Sequence, residues 1–158
     1  MQQTQGWHVA NWGLWGWLET IIKFVGIVAA YAAFFASSGD LIVGGNPELG
    51  AVIIVALATL ITIVAITIRI RQREVISMVY ALLNFLAHVG LVIALLRVPT
   101  QTTLPLVFAV AFVIGELVKQ YFLKVTGYTE QGQDIAGMIR FSRIVMSAYI
   151  LLVIALII

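Results

Sequence analysis

Residues 49–68 read LGAVIIVALATLITIVAITI, and the basic run RIRQR follows at 69–73. Twenty residues without a charge are what an α-helix needs to cross a hydrocarbon layer about 30 Å thick, at roughly 1.5 Å per residue. The many β-branched residues would favour a strand in water, but so long an apolar run outweighs propensity. Upstream, Asn46-Pro47-Glu48 supplies an N-cap, a first-turn proline and an acid at the positive end of the helix dipole. Downstream, Arg69, Arg71 and Arg73 close the span.

Working outward, four further segments of the same kind appear, so the spans are expected at about 18–38, 49–68, 75–96, 103–123 and 138–158. The expected fold is an all-α integral membrane protein, a five-helix transmembrane bundle preceded by a Trp-rich segment at 1–17. Composition agrees. Of 158 residues, 62% are hydrophobic and 10% charged, where a soluble domain carries about 25% charge. The mean hydropathy of +1.07 leaves lipid as the only solvent for this surface. With no Cys, disulfides, thiolate metal sites and Cys nucleophiles are excluded.

The charges set an orientation. Lys23, Arg69, Arg71, Arg73, Lys119, Lys124, Arg140 and Arg143 fall on one side of five spans, and only Arg97 on the other. Basic residues flanking spans stay cytoplasmic, so the N-terminus is expected inside and the C-terminus outside. The net charge of +2 therefore marks boundaries and implies no nucleic-acid partner. Residues 1–22 lack Lys and Arg, so the first span reads as retained and not as a cleaved signal, although Ala36-Ser37-Ser38 is a weak cleavage-site match. A prokaryotic plasma membrane is the expected location. Arg69, Arg71, Arg73, Arg140 and Arg143 are expected as topology or lipid-headgroup anchors. Trp7, Trp12, Trp15 and Trp17 are expected as interfacial anchors, since indole prefers the headgroup layer.

Polar residues inside spans are the candidates for chemistry. Ser77, Tyr80, Asn84 and His88 are three, four and four residues apart, a polar stripe within about 80° of one helical face. His88 lies roughly 13 Å from the Arg97 end of its helix, and Asn84 one turn away is its nearest partner. It suits either a packed, hydrogen-bonded histidine, a proton relay, or an axial ligand to haem or a chlorophyll-type pigment. Glu116 lies about 12 Å from Lys124, with Lys119 one turn away, which points to an ion pair reaching for the membrane boundary or to a functional acid. Glu19 and Lys23, four apart, can pair on one face. Gly26/Ala30 and Ala29/Ala33 form small-residue faces for close helix packing.

No HExxH, phosphate-binding glycine loop, GxSxG or convincing carboxylate pair occurs, so no catalytic or metal site is expected. Five spans do not divide into two equal repeats, which argues against the common inverted-repeat transporters. The expectation is therefore a non-catalytic accessory or structural subunit of a larger membrane assembly, partnered by the bilayer and by other subunits or itself. An oligomeric proton-coupled transporter or channel using Glu116 and the Ser77–His88 stripe ranks second. A haem, pigment or quinone-binding subunit through His88 ranks third, with no cofactor expected otherwise.

Overall fold

Residues 49–68 form most of α2, one of five helices in the computed structural model: α1 (Gly13–Ala36), α2 (Leu49–Gln72), α3 (Val75–Leu96), α4 (Thr103–Thr126) and α5 (Ile135–Ile157). The structure describes residues 7, 9, 12–37, 49–97, 103–126 and 134–158. The Asn46-Pro47-Glu48 start signal lies outside them, as does the side chain of Arg69. The fold is all-helical, with no strand among the described residues, and each helix is long and apolar enough to span a membrane.

The helices outrun the expected spans where polar ends allow it. α1 begins at Gly13, not residue 18, so Trp15 and Trp17 belong to the helix and not to a separate interfacial segment. α2 runs on through its arginines to Gln72, α4 extends to Thr126 and α5 starts at Ile135. A helix satisfies its own backbone, so it continues until side chains are able to snorkel into the headgroup layer. The α2–α3 connection is very tight: Arg73 adopts a left-handed φ of 54°, and Glu74 caps α3 by accepting from the backbone N–H of Ile76 and Ser77. Asp134 caps α5 through the Ala136 N–H at 3.0 Å.

The helices close into a ring. α1 packs against α4 and α3, α4 against α5, α5 against α2, and α2 against α3, so each helix has two principal neighbours. The α1–α4 seam is the most extensive and the α2–α5 seam the thinnest. Small residues explain the tight seam. A methyl group at Gly26 would sit 3.0 Å from the Phe112 ring and 3.2 Å from the Ala111 Cβ, so the expected small-residue face of α1 is where α4 approaches. At one end of the bundle, Arg97 Nη1 donates to the Ser37 carbonyl at 2.7 Å, tying α3 to α1. At the other, the Trp15 and Tyr121 rings meet edge-on at 4.8 Å.

Residues such as Ile53, Leu57, Leu60 and Val64 on α2 point outward and are about half exposed or more. Such a continuous apolar surface suits lipid and is untenable in water. In the ring's interior, the half nearer Arg97 is dry, filled by Ile27, Ala30, Leu91, Ala94, Leu95 and Phe108. The half nearer Arg71 and Arg73, the basic end, holds the polar groups.

Candidate functional site

Near the middle of α1, Lys23 is buried and its ammonium meets two carboxylates. It donates to Glu19 Oε1 at 2.7 Å, the i,i+4 pair that the spacing predicts, and to Glu116 Oε1 on α4 at 2.5 Å. Both Lys23 and Glu116 lie about ten residues inside their helices, roughly 15 Å from the ends. The pair is therefore at membrane depth. Ser142 Oγ on α5 donates to the other Glu116 oxygen at 2.5 Å, and Gln120 Nε2 donates to Ser142 Oγ at 3.2 Å.

This corrects one expectation. Glu116 does not pair with Lys119 and does not reach for the boundary; it turns inward to α1, with its side chain only 5% exposed. Lys119 stands half-exposed one turn nearer the basic end and makes no ion pair among the described residues. Helical spacing identifies neighbours on one helix, but the buried partner comes from another. Here the pair forms between the neighbouring helices α1 and α4 and not along α4 itself.

Gly115 makes the approach feasible. A Cβ there would lie 2.5 Å from Lys23 Cγ and 2.8 Å from Cε, so the lysine stem lies directly across the glycine backbone. Gly115 thus acts as the saddle for Lys23, a role invisible in the sequence, where it is one isolated interior glycine.

A cavity of about 180 Å³ adjoins these charges. All five helices contribute to its wall: Glu19 and Lys23 from α1, Thr62 from α2, Ser77, Tyr80 and Asn84 from α3, Phe112, Glu116 and Lys119 from α4, and Phe141 and Tyr149 from α5. Three of the four stripe residues therefore meet Glu116 and Lys119 at one site. Ser77 Oγ and Asn84 Oδ1 are buried without a hydrogen-bond partner among the described residues.

His88, the fourth, lies deeper and is fully buried. Its Nδ1 is 2.7 Å from the Asn84 carbonyl, which can only accept, so Nδ1 carries the hydrogen. In the neutral ring Nε2 then accepts from the Tyr149 hydroxyl at 2.8 Å. The side chain of Asn84 is not the partner; its backbone is. Phe108 packs edge-on at 5.0 Å and Phe112 at 5.7 Å, so His88, Tyr149 and the two phenylalanines form an aromatic layer above the cavity. Axial ligation of a haem or pigment by His88 would require breaking one of these two bonds.

The anchor candidates lie at the periphery. Arg71, Arg73, Arg140 and Arg143 are exposed, as are Trp7 and Trp17, while Trp12 is half-buried at the cavity rim. Sequence reasoning missed Tyr149, Ser142, Gln120 and Gly115 and underrated Lys23. A signal was present in Ser142 and Tyr149, seven residues apart on one face of α5. Comparison with known proteins finds no matching family, no similar curated protein and no similar solved structure.

Proposed function

We propose that this chain is a small membrane transport protein that admits a small polar solute into the central cavity, with Lys23 and Glu116 as its responsive charge pair. The observation that carries this reading is the buried Glu19–Lys23–Glu116 array facing an open volume at membrane depth. A charge at the centre of a span costs about 2.5–3.5 kcal/mol even on insertion scales, and a buried ion pair is commonly replaceable by apolar residues without loss of stability. A bundle that only had to pack gains nothing from such an array. Charges kept beside a cavity are characteristic of solute and ion pathways.

On this reading the basic end faces the cytoplasm of a prokaryotic cell, following the distribution of Lys and Arg, and the cavity is a vestibule from that side. The His88–Tyr149 layer and the dry half beyond it are the barrier that must open for passage. The chain acts without catalysis. A second reading, a subunit of a larger assembly, is favoured by the thin cover over α5, whose most apolar stretch is only 17% buried against 44% for α4. Native mass spectrometry from the source membrane separates an isolated oligomer from a hetero-complex.

Reconstitution into liposomes tests the transport reading. Stopped-flow light scattering would follow re-swelling with a panel of small charged and neutral solutes, and an entrapped pH dye would follow protons. At least one species should cross faster than in empty vesicles and be slowed by Glu116→Gln. Traces matching protein-free vesicles throughout, or flux untouched by that substitution, would sink it.

A further inference from the structure

Resting on the reading of the cavity as a solute site, we infer that its ligand is a small organic cation bearing an ammonium group. Three independent features define that chemistry.

The first is charge. The buried array holds two carboxylates against one ammonium, a local excess of one negative charge. Both oxygens of Glu116 are engaged, by Lys23 and Ser142, whereas Glu19 uses only Oε1 among the described residues. Glu19 Oε2 is thus an acceptor in hand. Lys119 also borders the cavity, but it is half-exposed, and its flexible stem lets the charge snorkel toward the headgroup layer.

The second feature is unmet hydrogen bonding. Ser77 is 95% buried, and no described residue bonds its hydroxyl. Asn84 Oδ1 is likewise buried and unpartnered. Buried polar atoms left without partners are uncommon, because each costs on the order of 1–3 kcal/mol. An amide oxygen accepts only and a hydroxyl both donates and accepts, so Asn84 requires a donor and one donor-rich partner satisfies both atoms. An ammonium carries three N–H donors and no acceptor. A carboxylate ligand would accept from the Ser77 hydroxyl but would offer no donor to Asn84 Oδ1, and it would meet Glu19 as a like charge.

The third is size and wall. An engineered apolar cavity of about 150 Å³ binds benzene, so about 180 Å³ takes a solute of roughly six to eight non-hydrogen atoms. Phe112 and Tyr149 line it, and aromatic side chains favour an organic cation through cation–π attraction as well as apolar contact. A bare metal ion would leave most of that wall unused.

Equilibrium dialysis of the full chain in detergent tests this with three ligands on one ring: benzylammonium, benzyl alcohol and benzoate. Benzylammonium should bind at least about tenfold tighter than the other two. Glu19→Gln and Asn84→Leu should each weaken it by about tenfold, and Ser77→Ala, which deletes one hydroxyl from the wall, by about threefold. Equal binding of benzyl alcohol, or wild-type affinity in the Ser77 and Asn84 variants, overturns the inference. Tighter binding of benzoate overturns the cation assignment while leaving a solute site in place. Failure of all three ligands to bind overturns the solute-site reading with it. Benzylammonium binding without any flux in vesicles would uphold the ligand class and refute transport.

Discussion

Replacing Lys23 by Met removes one ammonium and strands two carboxylates of very different exposure. Glu19 has a side chain 17% exposed and shares a helix with Lys23, so on losing its partner it rehydrates at the cavity mouth. Glu116, at 5%, keeps only the Ser142 hydroxyl. Two unit charges about 4 Å apart attract by about 4 kcal/mol at an effective dielectric of about 20, and the Lys23–Glu116 contact is shorter than that. Desolvation offsets much of this in the intact pair but is uncompensated in the single variant. Lys23→Met should therefore destabilise by about 3–5 kcal/mol. Glu116→Leu leaves Lys23 still paired to Glu19 and should cost no more than about 3 kcal/mol. The double variant removes the whole buried pair and should fall within about 1 kcal/mol of wild type, because well-packed apolar replacements of buried ion pairs are commonly neutral. Reversible unfolding in mixed detergent–SDS micelles, followed by circular dichroism, closes the double-mutant cycle. A coupling of about 3 kcal/mol or more is expected. A coupling under about 0.5 kcal/mol, the range of independent sites, would refute the claim that the pair is one buried unit. Solute flux in vesicles should be lost in the double variant despite its recovered stability.

Two more substitutions probe the surroundings of that pair. Gly115→Ala puts a Cβ 2.5 Å from the Lys23 stem and should destabilise by about 1–3 kcal/mol in the same assay, whereas Gly50→Ala, with nothing within 4 Å, should change stability by no more than about 1 kcal/mol; equal effects would contradict the saddle role of Gly115. Tyr149→Phe leaves His88 Nε2 buried without its hydroxyl and should cost about 1–3 kcal/mol, with the His88 ring resonances shifting in NMR; an unchanged spectrum would show that the Tyr149 bond is not formed.

Much of the scaffold was legible in one dimension because the membrane imposes a one-dimensional rule. A helix crossing lipid must be about twenty apolar residues long, so α3 matches its expected span at both ends, and α2 and α4 at their starts. That Ser77, Tyr80 and Asn84 share one face of α3 also followed from spacing, and the structure turns that face toward the cavity. The i,i+4 pairing of Glu19 with Lys23 was readable for the same reason: both residues lie on one helix, whose geometry is known in advance.

Partner choice between helices was not readable, because spacing along a chain carries no information about which faces meet. Glu116 had Lys119 beside it in sequence, yet its counter-charge is Lys23, 93 residues away, and its second oxygen belongs to Ser142 on α5. His88 was matched to Asn84 one turn away, and the structure supplies that residue's carbonyl at Nδ1, but the ring order brought the Tyr149 hydroxyl of α5 to Nε2. By itself the sequence determined five apolar helices, where along the chain each lies and the clustering of arginines at one end, because hydrophobic length and charge are local properties. Only the tertiary structure decided that the helices close in the order α1–α4–α5–α2–α3 and that the close approach at Gly26 and Gly115 draws a lysine and a glutamate together beside a central cavity. That decision belongs to side-chain volume and interhelical packing, which act between segments and are written in no single one of them.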